Sequence, residues 1–126
     1  MVLINTNIFI YYLKNEKTTV DYFNSLKISN EEISFSFINK IELLSFPGLQ
    51  KNEEIIIQNM LNEFRNIGFD KKIEEKTIDI RKRINIKIPD SIIAATAIIY
   101  NCTLVTRNVT DFSNLTDLKL NNPYDQ

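Results

Sequence analysis

The sequence predicts a single three-layer α/β/α domain over residues 1–126, in which a mainly parallel central sheet lies between two layers of helices. Short apolar runs of strand type alternate along the chain with amphipathic stretches of helical period. The length of 126 residues suits one compact domain, and a hydrophobic content of 44% is ordinary for a globular protein. No repeat, linker or low-complexity segment divides the chain.

The first half of the chain predicts two strands and four helices. Consecutive or alternating apolar residues indicate the strands, at residues 2–4 and 33–37. Apolar residues at helical spacing indicate the helices, and threonine, Pro-Gly and glycine mark their ends. The predicted helices are residues 8–13, a helix that begins at Thr18 or Thr19, residues 38–46, and residues 52–67.

The second half of the chain predicts a similar alternation of strands and helices. Its predicted elements are an extended piece at residues 69–73, a charged helix at 74–85, a strand at 104–106, a turn at 107–112 and a strand at 118–120. Between the charged helix and the strand, Pro89 breaks the chain, and Asp90 opens an alanine-rich helix that runs to Ile99.

The composition excludes several kinds of chemistry. Histidine is absent, which excludes Ser-His-Asp and Cys-His catalysis and imidazole-ligated zinc. Cys102 is the only cysteine, so an internal disulfide is excluded and a reducing compartment is expected. No apolar stretch approaches the roughly 20 residues that span a bilayer, and the chain starts on a strand without a basic leader. We therefore expect a cytoplasmic protein that does not insert into membranes.

Two carboxylates lie where a helix surface is otherwise apolar. Glu42 follows Ile38 by one turn and precedes Phe46 by one turn, and burying an unpaired carboxylate there would be costly. Glu42 therefore either reaches solvent at the edge of the apolar stripe or has a function. Asp90 either caps its helix or begins an inward-facing row of small side chains and points to the centre of the domain.

Polar side chains follow two of the predicted strands. They are Asn5, Thr6 and Asn7 after the first strand, and Thr106, Asn108 and Asp111 after the strand near residue 105. Parallel strands place their carboxyl ends at one edge of a sheet, so we expect these groups to meet Glu42 and Asp90 there. Clustered carboxylates repel one another unless a cation lies among them, and oxygen ligands select Mg²⁺ or Mn²⁺. Such a site suits phosphodiester hydrolysis. Taken alone, Asp111 could instead cap a short helix in an Asx-type turn.

A basic segment could accompany this site. Residues 70–87 contain seven basic and four acidic residues, a surplus of three positive charges in a chain whose formal net charge is −1. The segment is either a solvated helix face with i,i+4 ion pairs or a rim that contacts the phosphates of a nucleic acid. Arg107 is the single residue that we favour as a phosphate contact.

Four blocks of the sequence resemble the PIN-domain ribonucleases, and most closely the VapC-type toxins of bacterial toxin–antitoxin pairs. The blocks are LINTNIFIYYL, ISFSFINKIELLS, IPDSIIAATAI and LVTRNVTDF, and they occur in the family's order over nearly the whole chain. The resemblance implies a PIN-like fold, a Mg²⁺- or Mn²⁺-dependent endoribonuclease that cuts RNA, a homodimer, and a cognate antitoxin that neutralises it.

The resemblance also implies roles for particular residues. The acidic catalytic and metal-binding positions of the family correspond to Asn5, Glu42, Asp90 and Asp111. Asn108 would lie near the metal as a further ligand. Support or substrate contacts would come from Thr6, Thr106 and Arg107.

Position 5 departs from the family pattern, which has aspartate at the end of the first strand. Asn5 keeps one oxygen but lacks the negative charge, so attraction to a divalent ion and activation of a bound water both fall. The natural protein either has this asparagine and is weakened or repurposed, or an aspartate was replaced to silence the toxin; our hypothesis is the second. We predict that the chain binds metal poorly, cleaves slowly or not at all, and recovers cleavage in the Asn5→Asp variant.

Other classes of function stay open at this point. A catalytically degenerate PIN-like module would bind RNA or a protein partner without cutting. A receiver-like phosphoacceptor domain would need paired acids after the first strand, which Asn5-Thr6-Asn7 does not supply. Aromatic residues on the early helices could also leave an apolar groove for a helix of the antitoxin.

Overall fold

Five strands form one sheet in the computed structural model, which describes residues 1–125 of the chain. The strands are β1 (Val2–Ile4), β2 (Ile33–Ser36), β3 (Arg65–Ile67), β4 (Thr103–Val105) and β5 (Lys119–Asn121). They pair in the order β3-β2-β1-β4-β5, and each of these pairings is parallel. The predicted three-layer α/β/α fold is confirmed, with a sheet that is parallel throughout the described residues.

The helices cover both faces of this sheet. They are α1 (Thr6–Leu13), α2 (Lys17–Ile28), α3 (Phe37–Leu44), α4 (Lys51–Leu61), α5 (Lys71–Arg83), α6 (Ile88–Ile99) and the single turn α7 (Val109–Phe112). Successive residues of a strand point to opposite faces, so Val2 and Ile4 pack with Phe9 of α1, whereas Leu3 packs with Ile93 of α6. Thus α1, α2 and α4 cover one face, and α5 and α6 cover the other. No helix within residues 1–125 is long and apolar enough to cross a membrane.

The prediction of a helix at residues 52–67 was wrong for the last six of these residues. Helix α4 ends at Leu61, and residues 65–67 form the edge strand β3, which pairs with β2. Helical spacing continues through Phe64, but pairing with a neighbouring strand outweighs so short a local signal. Ile56, expected on the buried side of this helix, is 55% exposed.

The predicted starts of α2, α5 and α6 were also misplaced. Helix α5 begins at Lys71 with Asp70 as its N-cap, so residues 71–73 are helical rather than extended. Helix α6 begins at Ile88 with Lys87 as its N-cap, and Pro89 lies in its first turn, where proline is tolerated. Asp90 is therefore not the cap. Helix α2 begins at Lys17, ahead of either threonine that was expected to cap it.

Candidate active site

Two strand ends meet at the carboxyl edge of the sheet. Ile4 and Val105 are paired in register, so Asn5 and Thr106 follow them side by side. Asn5 Nδ2 donates a hydrogen bond to Thr106 Oγ1 at 3.1 Å, and Asn5 Oδ1 accepts one from the Thr6 amide at 2.9 Å. Both polar atoms of this buried side chain are therefore occupied, one by the neighbouring strand and one as the N-cap of α1.

Three asparagines converge on the Thr106 hydroxyl. Besides Asn5, the backbone amide of Asn108 donates to Thr106 Oγ1 at 3.0 Å, and Asn7 Nδ2 lies 3.4 Å from the same oxygen. Thr106 is fully buried, so this hydroxyl joins the end of β1 to the loop after β4. Within residues 1–125, Asn7 Oδ1 is buried and has no hydrogen-bond partner.

Glu42 reaches this edge from α3. Thr6 Oγ1 donates to Glu42 Oε1 at 2.7 Å, and Asn39 Nδ2 donates to Thr6 Oγ1 at 3.0 Å. Asn39 is itself fixed, because its Oδ1 accepts the backbone N–H of Ser36 at 2.8 Å in the capping box of α3. Glu42 is exposed, as one of its two sequence interpretations required, and it is bonded to the residue that follows Asn5.

Asp90 faces two other carboxylates. Burial raises the pKa of Asp90, and the negative charges of Asp111 and Glu42 raise it further, whereas Lys87 opposes the shift. Within residues 1–125 no group donates a hydrogen bond to the Asp90 carboxylate. Asp111 lies in α7, where Asn108 Nδ2 donates to its Oδ2 at 2.9 Å. Two of the carboxylates that the sequence singled out, Asp111 and Glu42, therefore act electrostatically on the third, Asp90.

A polar cleft of about 570 Å³ opens between α6 and α7. Its lining consists mainly of amides and charged groups: Asn85, Ile86, Lys87, Asp90, Asn108, Thr110, Asp111 and Asn114. Asp90 and Asp111 thus face a solvent-accessible space, as a site for an external substrate requires. Arg107, by contrast, is not part of this lining.

A sequence model of the PIN domain matches residues 2–118. The chain belongs to the PIN-domain family. Its fold is similar to VapBC2 from Rickettsia felis bound to a promoter DNA fragment, with a TM-score of 0.85, 27% identity, and coverage of 97% of this chain and 98% of that chain. A toxin–antitoxin complex from Klebsiella pneumoniae gives 0.82 and 25% over the whole of both chains. VapBC-1 from nontypeable Haemophilus influenzae gives 0.82 and 25%, over 99% of this chain and all of that chain.

These comparisons confirm the resemblance to VapC-type PIN proteins that the four sequence blocks carry. The match over residues 2–118 includes every predicted site residue, from Asn5 to Asp111. No curated protein sequence matches the chain. The geometry of this PIN domain is therefore the basis for assigning roles to individual residues.

The oxygen-bearing side chains at this site are of the types that bind a hard cation, but they are not arranged as a complete set of ligands. Carboxylate and amide oxygens are the ligands that Mg²⁺ and Mn²⁺ prefer. The pKa of Asp90 is raised by burial first and then by the charges of Asp111 and Glu42, and a cation would favour the ionised form. Asn5, however, has its oxygen turned to the Thr6 amide. Within residues 1–125 no group of three or more Asp, Glu, His or Cys side chains is placed to hold a metal ion.

Two residues near the site were missed at the sequence level. Asn39 links the α3 cap to Thr6 and so to Glu42; its spacing of three residues after Ser36, typical of a capping box, was the available signal. Lys87 is the cation that opposes the raised pKa of Asp90. It was counted only within the basic segment, although it lies three residues before Asp90.

Proposed function

We propose that this PIN domain, taken as one nuclease domain over residues 1–126, is the toxin of a type II toxin–antitoxin pair and a Mg²⁺- or Mn²⁺-dependent endoribonuclease. The observation that supports the proposal is that Asp90 and Asp111 line one polar cleft and that the charges of Asp111 and Glu42 act on Asp90, beside the joined ends of β1 and β4. PIN domains are generally nucleases that use divalent ions, and the similar structures named above include toxin–antitoxin and VapBC assemblies. We place this toxin in the cytoplasm.

We propose the following roles for the site residues and give the contacts that support them. Glu42, Asp90 and Asp111 would hold the cation, with Asn108 beside them, and the bound cation would polarise the scissile phosphate and acidify a water molecule. Thr6 donates to Glu42, and Asn108 donates to Asp111, so both carboxylates are oriented before substrate arrives. Thr106 holds the end of β1 against the loop after β4.

Asn5 is the residue that we expect to limit activity. It occupies the position of an acidic ligand without a charge, and its amide nitrogen faces Thr106. In the Asn5→Asp variant the Thr106 hydroxyl would donate to the new carboxylate instead of accepting from the amide. The fourth carboxylate would strengthen cation binding at the cost of greater repulsion in the absence of a cation.

The proposed antitoxin surface lies on α3, on α4 and on the loop between them. Ile41, Phe46 and Ile56 are each more than half exposed, and a groove of about 150 Å³ lies beside Ile56, lined also by Leu13 and Ile57. The early aromatic residues that suggested such a groove are largely core. An amphipathic segment of a cognate antitoxin would bury these apolar side chains. A homodimer is part of the same proposal.

Cleavage of RNA tests the proposal. We expect the chain to cut RNA slowly or not at all with Mg²⁺ or Mn²⁺, and the Asn5→Asp variant to cut at least about a hundredfold faster, because it restores a ligand to the group that activates water. EDTA should abolish this activity. Asn59→Asp adds the same charge on the exposed surface of α4 and serves as the matched control. An Asn5→Asp variant that folds, binds Mg²⁺ and still leaves RNA intact would refute the nuclease proposal.

A second candidate function is a degenerate PIN-like module that binds RNA or a protein without cutting. The observation in its favour is that both polar atoms of the Asn5 side chain have good partners, so the site accommodates asparagine without strain. An asparagine codon at position 5 of the native coding sequence, together with RNA binding but no cleavage by the Asn5→Asp variant, would favour this candidate.

A further inference from the structure

Arg107 has an unusual environment for a surface arginine. Its guanidinium carbon lies 4.1 Å from the ring centroid of Tyr124 and 5.1 Å from that of Tyr11. The two rings contact each other, with centroids 5.5 Å apart and planes inclined by 62°. A planar guanidinium stacks favourably on aromatic faces, so these two tyrosines fix the orientation of a side chain that is otherwise among the most mobile.

We call Tyr11 and Tyr124, which both contact the Arg107 guanidinium, the clamp. The segment after β5 anchors this clamp. The Tyr124 hydroxyl donates to Glu16 Oε1 at 3.0 Å and contacts Thr19 Oγ1 at 2.6 Å. Just before it, Asn121 Nδ2 donates to the Tyr22 hydroxyl at 3.2 Å. The last described residues are thus tied to the start of α2 by side-chain hydrogen bonds. We define residues 121–124 as the C-terminal strap.

The charge of Arg107 is not neutralised by the fold. Within residues 1–125 its guanidinium forms no ion pair and no hydrogen bond, although Glu16 is bonded to the same Tyr124 ring system. A guanidinium that lies over the two rings keeps the N–H groups at its edge available.

The position of Arg107 in the chain connects it to the candidate site. It lies between Thr106, which is bonded to Asn5, and Asn108, which is bonded to Asp111. Adjacent Cα atoms are about 3.8 Å apart, so the backbone of Arg107 belongs to the loop that carries the site. Its guanidinium nevertheless lies outside the acidic cleft, over the rings of Tyr11 and Tyr124.

We propose that Tyr11 and Tyr124 hold Arg107 in one orientation as a binding residue for an RNA backbone phosphate next to the one that is cut. This inference rests on the proposed function. Arg107 contacts the substrate, whereas Tyr11, Tyr124 and the C-terminal strap position Arg107. A fixed guanidinium presents paired N–H donors that match two phosphate oxygens, which the single ammonium of lysine cannot do.

A second Arg–Tyr pair supplies the matched control. Arg65 lies 5.9 Å from the ring centroid of Tyr100, but its charge is paired with Glu32 at 3.3 Å. It begins β3 at the edge of the sheet, and neither Arg65 nor Tyr100 belongs to the acidic cleft. Arg65→Lys and Arg107→Lys therefore make the same chemical change in a paired and in an unpaired arginine.

The test measures RNA binding and cleavage separately. Binding of a short fluorescein-labelled RNA of mixed sequence is followed by anisotropy in EDTA with the chain as it is. Cleavage of the same RNA is followed with Mg²⁺ in the Asn5→Asp background. We expect Arg107→Lys and Tyr124→Leu to weaken binding and raise KM about tenfold, with kcat within about twofold. Tyr124→Phe keeps the ring but loses the hydroxyl that bonds to Glu16, so it should weaken binding less than Tyr124→Leu does, and Arg65→Lys should have no effect.

Salt dependence adds a readout that a structural role would not change. Arg107→Gln should reduce the slope of log affinity against log salt by about 0.7, the value for one phosphate contact on a single strand. Thermal unfolding of each variant shows whether a loss of affinity follows a loss of structure. Unchanged binding in Arg107→Lys, an unchanged salt slope in Arg107→Gln, or no binding of RNA by the parent chain would each overturn the inference.

The two proposals fail in different ways. Binding that depends on Arg107 and Tyr124, without cleavage by the Asn5→Asp variant, would refute the nuclease and leave the clamp standing. Cleavage by the Asn5→Asp variant with an unchanged KM in Arg107→Lys would refute the clamp and leave the nuclease standing. If Tyr124→Leu does not fold, Arg107→Lys and Arg107→Gln still decide the question.

Discussion

Asp70 and Asp90 both lie at the start of a helix, yet their carboxylates have opposite environments. Asp70 accepts the Tyr100 hydroxyl at 2.7 Å and the Ile73 amide at 2.8 Å, and these two hydrogen bonds, the Tyr100 bond first, lower its pKa. Burial raises the pKa of Asp90, as do two neighbouring carboxylates. A carboxylate with donors stabilises the fold, whereas one that faces like charges costs stability and indicates a function.

The different environments follow from where each aspartate lies in its own helix. Asp70 is the N-cap of α5, where its oxygen can reach the free amide of Ile73. Lys87 is the N-cap of α6, so Asp90 lies inside the first turn and its side chain is directed to the cleft. The row that begins there continues with the buried residues Ile93, Ala94 and Ala97, which pack α6 against the sheet.

The largest expected difference between the two aspartates is in the rate of RNA cleavage. In the Asn5→Asp background we expect Asp90→Asn to reduce the rate of RNA cleavage with Mg²⁺ at least about a hundredfold, because it removes a proposed ligand. Asp70→Asn should leave the rate within about twofold. Initial rates on the same RNA at matched protein concentration measure both. Equal losses in the two variants would show that Asp90, like Asp70, has only a structural role.

For thermal stability the order of the two aspartates should be reversed, so that loss of Asp70 has the larger effect. Asp70→Ala removes the cap of α5 and the partner of Tyr100, so we expect Tm to fall by roughly 4 °C. Asp90→Ala removes a half-buried charge that faces Asp111 and Glu42, so Tm in EDTA should stay the same or rise. Differential scanning calorimetry of the three proteins makes the comparison. A fall in Tm for Asp90→Ala as large as that for Asp70→Ala would contradict the assignment.

The smallest expected effect is the pH dependence of stability. The folded pKa of Asp70 lies below its ordinary 3.8, so its contribution is complete above 3.8 and is lost as the pH falls through the folded value. The folded pKa of Asp90 lies above 3.8, so its cost is absent below 3.8 and grows as the pH rises through the folded value.

These signs predict two different changes in a plot of Tm against pH. Asp70→Asn should reduce the loss of stability in acid, and Asp90→Asn should reduce the loss on going from acid towards neutral pH. Unfolding from about pH 2 to about pH 7 in EDTA measures both slopes. Ser113→Asn, at an exposed position after α7, is a control that introduces the same side chain without removing a titrating group.

Much of the fold could be predicted because its signals are local. The strands β1, β2 and β4 have consecutive or alternating apolar residues. The polar residues that follow β1 and β4 indicate the edge of the sheet. The strand β3 could not be found, since Arg65 and Asn66 are exposed and only pairing with β2 makes these residues extended.

The residues of the candidate site could be proposed from the sequence, but their contacts could not. Glu42, Asp90 and Asp111 were singled out because their carboxylates lie in apolar or turn contexts. Asp111 and Glu42 do act on Asp90, and the catalytic and metal-binding roles of all three stay a prediction. The Asn39 link to Thr6 and the counter-charge of Lys87 depend on how α3 and α6 approach the sheet. Arg107 was expected at a phosphate, but its stacking on two tyrosines had no sequence signal.

The sequence by itself determined the alternation of strands and helices, the absence of histidine chemistry, and the residue types available at each strand end. Tertiary structure alone decided which of those residues meet: Asn5 and Thr106 are 101 residues apart, and Tyr124 and Glu16 are 108 apart. The physical reason is the distance along the chain over which each interaction acts. Helical period, capping and turn chemistry act within a few residues, whereas a bond between distant residues exists only after packing has brought their backbones together.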